Sequence, residues 1–112
     1  MVESFKRKLV LYESPSGSSP FEDWLNNLKD RRAQAIIRSR LDRLERGNAG
    51  HFRSLGNGLH ELKIDFGPGY RVYFGERNRR WLVLLCGGDK SNQRQDIEIA
   101  YRYWEDKQRG WR

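Results

Sequence analysis

The chain has 112 residues, a formal net charge of +7, 37% hydrophobic and 33% charged residues, and a single cysteine. A length of this order carries one domain, residues 1–112, with one modest core, and the lone thiol excludes an internal disulfide or a cysteine-built zinc site. No apolar run is long enough to span a bilayer, and the basic balance favours a polyanionic partner, nucleic acid first.

Residues 5–13, FKRKLVLYE, are rich in strand formers and predict a first strand. The basic start and short apolar run of MVESFKRKLVLYES are too brief and too interrupted for a signal peptide, so a cytoplasmic protein is expected. A loop, SPSGS, follows. Ser19, Pro20 and Glu22 then read as a capping box: the serine oxygen can accept a backbone N–H, the glutamate can accept the serine's own N–H, and proline occupies the first position. Phe21, Trp24, Leu25 and Leu28 make one apolar stripe on that helix.

A second helix is predicted from Asp30 to Arg46, with Ala33, Ile37, Leu41 and Leu44 on one face and arginines over the rest. Gly47 and Asn48 supply its stop. The short link to the preceding helix suggests a helical hairpin. Arg38, Arg43 and Arg46 on the outer face are candidate RNA contacts, or else a solvated charged surface.

Residues 47–58 read as a glycine-rich connector. Residues 59–66 then alternate, with His60, Leu62, Ile64 and Phe66 on one face and Glu61, Lys63 and Asp65 on the other. Gly67-Pro68-Gly69 is a turn, and 70–74 alternate again. A three-residue turn would set Ile64 opposite Val72, Lys63 opposite Tyr73 and Asp65 opposite Arg71. After a turn at 75–80, the run WLVLLC is apolar on both faces and predicts a central strand ending at the Gly87-Gly88 pair. A last helix spans 92–107, with Ile97, Ala100, Tyr101 and Trp104 aligned and the tail GWR loose.

The fold class expected is α+β: a small antiparallel sheet in the order β-α-α-β-β-β-α, with an N-terminal helical hairpin and a C-terminal helix packed on it. Alternation puts Lys63, Arg71 and Tyr73 on one face, and the antiparallel return brings Lys90 beside Arg71. Cations gathered without a buried counter-charge imply a visiting anion such as a phosphate. The planar fork of Arg71 suits two phosphate oxygens, its alternative being an ion pair with Asp65. Lys90 follows two glycines that would let backbone N–H groups approach an anion. Lys63 is a candidate general base or a solvent-facing strand lysine. Tyr73, and less so Tyr70, could stack on bases. Cys86 lies in an apolar run and reads as an inert buried thiol, His60 as a core histidine, and His51 as a loop residue without specific support. No metal motif is present in the sequence pattern.

The segments FEDWLNNLKD, RLDRLERGNAG, LHELKIDFGPGYRVYF and GGDKSNQRQDIEIAYRY resemble the RelE/ParE superfamily of type II toxin–antitoxin toxins, most closely its HigB-like addiction-module killer group. The resemblance implies a small α+β toxin restrained by a cognate antitoxin. It also implies an mRNA-cleaving endoribonuclease needing no cofactor, with the ribosome as a possible further partner and no membrane. Arg71, Lys90 and Lys63 match its catalytic positions, while the histidine or tyrosine motif near the C-terminus of well-understood members is missing. Other members inhibit DNA gyrase without cutting RNA. A gyrase-directed toxin and a plain RNA-binding module therefore stand as alternatives.

Overall fold

A computed structural model of the chain describes residues 7–48, 50 and 52–111. Its elements are β1 (Lys8–Leu11), α1 (Pro20–Asn26), α2 (Arg31–Glu45), β2 (Phe52–Gly56), β3 (Leu59–Ile64), β4 (Tyr70–Arg77), β5 (Trp81–Asp89) and, after a short 3-10 turn over Lys90–Asn92, α3 (Gln93–Gly110). The expected α+β class holds. The strands form one five-stranded sheet in the order β1-β5-β4-β3-β2. The sheet is mixed rather than wholly antiparallel, because the edge strand β1 pairs parallel to β5. The parts of the first predicted strand before Arg7, and His51, lie outside the described residues.

Helix starts follow the sequence signals. Ser19 Oγ accepts the Glu22 N–H, and Asp30 Oδ1 accepts the N–H groups of Arg32 and Ala33 at 2.9 and 3.2 Å. The sheet is covered on both faces. On one, α1 and α2 bury Phe21, Leu25, Ile37 and Leu44 against Leu62, Ile64, Val72, Phe74 and Leu84. On the other, α3 buries Ala100 and Trp104 against Leu59, Tyr73, Val83 and Leu85. This two-sided cover is why WLVLLC is apolar throughout. Trp111 is packed rather than loose: its ring lies 5.9 Å from that of Trp81, and its carbonyl accepts from Arg77.

Three local expectations are corrected. The connector 47–58 contains a strand, β2, which pairs with β3 at the sheet edge. The loop between β3 and β4 has five residues, not three. Asp65 and Phe66 leave the ladder, Gly67 and Gly69 take φ of 55° and 84°, and the partners become Ile64–Tyr70 and Lys63–Arg71. The shift is two residues, so every side chain keeps its expected face. Finally, Gly87 and Gly88 continue β5 instead of ending it.

Candidate functional site

Strand pairing builds the site on the α3 face of the sheet. Lys63 of β3 sits directly across from Arg71 of β4, and Arg71 sits across from Gly88 of β5. The chain then turns at Lys90, whose backbone N–H donates to the Gly69 carbonyl at 2.9 Å. That bond ties the end of β5 to the β3–β4 loop. As a result Lys63, Arg71 and Lys90 line one open cleft of about 380 Å³, floored by Gly67 and Gly69. The three cations that the sequence placed together do meet there.

The expected absence of a buried counter-charge is wrong. Glu61 is 3% exposed and lies diagonally across from Arg71, which is 7% exposed. Glu61 Oε1 accepts from Arg53 Nε at 2.8 Å. Its Oε2 accepts from Gln93 Nε2 at 2.8 Å and from the Tyr73 hydroxyl at 3.0 Å, with Arg71 Nε 3.6 Å away. Burial pushes the Glu61 carboxyl up, but the hydrogen bonds of Arg53, Gln93 and Tyr73 outweigh it and hold the pKa below the ordinary carboxylate value. Glu61 is therefore a carboxylate at neutral pH. Arg71 Nε has no hydrogen-bond partner among the described residues, and Nη1 makes a long 3.4 Å bond to the Gly69 carbonyl. One buried anion thus balances one buried cation, while the remaining guanidinium donors border the cleft. The nearer surface partner of Lys63 is Asp65, 3.7 Å away and largely exposed.

A second hollow of about 450 Å³ adjoins the first and shares Lys63 and Arg71 with it. Arg53, Glu61 and Gln93 complete its polar lining. None of these three was singled out from the sequence. Arg53 was hidden in a segment read as a loop. Glu61 gave a weak signal, as an acidic residue two positions before Lys63 on the same strand face.

The remaining expected site residues fall elsewhere. Tyr73 is 0% exposed, its ring packed beneath α3 and its hydroxyl spent on Glu61, so no face of it is open to a base. Burial and then the Glu61 charge push its pKa far above the usual tyrosine value. Tyr70 is also buried, on the other face of the sheet, edge-on to Trp24. Arg38 and Arg43 are exposed on α2, and Arg46 is exposed just past its end; α2 packs on the face opposite the cleft. Arg38 donates to Asn26, and Arg46 pairs with Asp42 at 2.9 Å.

Gly87 and Gly88 do not present N–H groups in an anion-binding loop. A Cβ on Gly87 would lie 2.4 Å from the Trp24 ring, and one on Gly88 would lie 1.9 Å from Asp96 Oδ2. The pair is small because a tryptophan covers one face and a carboxylate the other. Burial pushes the Cys86 thiol up to about 12, aided by Asp96, as an unreactive thiol requires. His60 stacks on Phe74 at 5.3 Å, and burial lowers its pKa. Among the described residues no group of three His, Cys, Asp or Glu could hold a metal, and no helix is long and apolar enough to cross a membrane.

Residues 23–105 match the model of the family described as Phage derived protein Gp49-like (DUF891). The chain belongs to this family. The match runs from within α1 into α3 and includes Arg53, Glu61, Lys63, Arg71, Lys90 and Gln93. The Gp49-like family is toxin-like, of the RelE/HigB type. An uncharacterised protein of Haemophilus influenzae is 50% identical over 80 residues, covering 71% of this chain and 81% of that relative.

Proposed function

We propose that this Gp49-like chain is the toxin of a two-protein toxin–antitoxin module in the cytoplasm, of the HigB-like addiction-module killer group, and that it arrests growth by cutting mRNA. The observation that carries the reading is the single cleft lined by Lys63, Arg71 and Lys90 in a chain of a toxin-like family.

In this reaction the ribose 2′-oxygen forms a bond to the adjacent phosphorus as the bond to the 5′-oxygen breaks. The 2′-hydroxyl proton passes to a base, and the departing 5′-oxygen takes up a proton. The products are a cyclic phosphate and a 5′-hydroxyl, with no redox step and no cofactor. Arg71 offers a planar pair of donors to the phosphate as its charge develops. Lys90, fixed at the cleft edge by the Gly69 bond, serves the phosphate or the leaving oxygen. Lys63, across the ladder from Arg71, assists removal of the 2′ proton. The antitoxin presents an acidic or apolar segment that covers the cleft.

Brief induction followed by primer extension tests this, with purified ribosomes added or withheld in a parallel assay to define their role. Parent protein gives discrete mRNA ends, cyclic-phosphate termini and growth arrest that co-expression of the neighbouring gene product reverses. Removing one such donor costs about 10²–10³-fold in turnover, so Arg71→Lys, which keeps a charge beside Glu61 but lacks the fork, loses most cutting. Cutting equal to the parent by Arg71→Lys and Arg71→Ala removes Arg71 from the mechanism. Growth arrest with intact mRNA and inhibited DNA supercoiling replaces the nuclease reading with a gyrase-directed one.

A further inference from the structure

We propose that Arg53 is a second phosphate-binding residue, coupled to Arg71 through Glu61, so that the site grips two neighbouring phosphates of a single RNA strand. The inference rests on the nucleic-acid reading of the cleft and adds residues that the reading did not include.

The geometry runs through one carboxylate. Arg53 Nε is 2.8 Å from Glu61 Oε1, and Arg71 Nε is 3.6 Å from Oε2. Each arginine turns its Nε toward the shared anion. In a guanidinium this leaves the paired terminal nitrogens, the edge that matches two phosphate oxygens, facing away from the carboxylate. Arg53 is 59% exposed at its side chain, while Arg71 is 9% exposed and borders both hollows. The hollow beside Arg53 and the cleft beside Lys90 share Lys63 and Arg71, so they form one continuous track across β2, β3 and β4.

Charge decides what the track accepts. Arg53, Lys63, Arg71 and Lys90 line it, against Glu61 and Asp65. Glu61 is already saturated by Arg53, Gln93 and Tyr73, so it repels an incoming phosphate less than a free carboxylate would. Two guanidinium groups tied to one carboxylate stand close together. That suits consecutive groups on one chain and not two separate ligands. Gln93, at the start of α3, holds Glu61 from above, so docking of α3 fixes the spacing of both arginines. Glu61 is the positioning residue of this pair.

The full chain is titrated with a synthetic single-stranded RNA blocked at the 2′-hydroxyls, over a range of salt. Each neutralised phosphate contributes a slope of about 0.7 in log affinity against log salt for single strands. Arg53→Ala is expected to lower the slope by about 0.7 and to weaken low-salt binding by about tenfold. Arg53→Lys keeps the slope but loses part of the affinity, because it lacks the fork. A second RNA series carries one uncharged linkage placed in turn at each position. The linkage next to the cleft-bound phosphate weakens the parent about as much as Arg53→Ala does and leaves Arg53→Ala nearly unchanged. Equal losses for parent and Arg53→Ala at every linkage, or an unchanged salt slope in Arg53→Ala, overturn the proposal. Because binding is read without cleavage, a coupled Arg53 in a protein that never cuts RNA would refute the nuclease reading and leave the clamp standing. Active cutting with an uncoupled Arg53 would do the reverse.

Discussion

Glu61 and Arg71 are the two charged residues buried among those described, and their side chains face each other at 3.6 Å beside the open cleft. Neither could be kept inside alone, because an uncompensated buried ion costs several kcal/mol. The pair therefore belongs to the fold as much as to the site. Sheet stability and the aim of the Arg71 guanidinium depend on the same carboxylate.

Glu61→Ala is expected to cost about 3–5 kcal/mol, since it strands the Arg71 charge and removes the acceptor of Arg53, Tyr73 and Gln93. Urea unfolding of parent and variant measures it. Adding Arg71→Met to a Glu61→Leu background restores part of the loss, because an apolar pair of similar volume avoids the stranded charge. A Glu61→Ala protein within about 0.5 kcal/mol of the parent, the range of an ordinary surface change, would show that the pair does not hold the sheet.

The same carboxylate sets an acid limit. The folded pKa of Glu61 lies below its unfolded value of 4.5, so the folded state favours the ionised form. Its contribution is whole above the unfolded value and is lost as pH falls through the folded one. Unfolding free energy followed from neutrality into acid should fall more steeply for the parent than for Glu61→Gln. The difference between the two curves should be greatest above pH 4.5 and shrink below it. Parallel curves would assign acid sensitivity to other groups.

Gly87→Ala should be among the more damaging small changes, because its methyl would arrive 2.4 Å from the Trp24 ring, too close for any real contact. The ring is wedged between α1 and β5, so the clash must move a helix or a strand, at a cost of about 1–3 kcal/mol or more. Gly110→Ala is the control, since nothing lies within 4 Å of its added carbon. Thermal melts of the two variants compare them. Equal melting points would mean that α1 yields freely and that the glycine serves some purpose other than packing.

What could be read in advance follows the physics of alternation. Side-chain parity along 59–66 and 70–74 survives a two-residue slip, so Lys63 and Arg71 share the expected face even though the expected pairing is wrong, and the antiparallel return of β5 brings Lys90 beside them. The slip came from the loop: nothing local shows that Asp65 and Phe66 leave the ladder, with Phe66 drawn under Arg32 at 5.7 Å. β2 escaped because an edge strand exposed at Phe52, Arg53 and Ser54 has no apolar period. With it went Arg53. Glu61 was visible as a residue but not as a hub, because its three donors come from β2, β4 and α3, and only tertiary packing joins them. The glycines before Asp89 looked like a strand end, since their cause, Trp24 and Asp96, is remote in sequence.

Tyr73 separates a buried structural role from a base-stacking one. Its hydroxyl donates to Glu61 Oε2, and burial first, then the neighbouring charge, raises its folded pKa well past the ordinary 10.0. The raised value means that its contribution is whole below the unfolded pKa and declines as pH rises beyond it. Tyr73→Phe is therefore expected to cost about 1.5–3 kcal/mol at neutral pH, the worth of a hydrogen bond to a charged group, with the deficit narrowing in strong alkali. Phenolate absorbance gives the second readout. In an alkaline titration Tyr73 should ionise only with unfolding, later than Tyr12, which is pushed up to about 12 by burial and Asp106. The Phe variant should lose that last step and no earlier one. A phenol at position 73 that titrates near the ordinary value would mean that the ring reaches solvent, and the base-stacking role expected from the sequence would return.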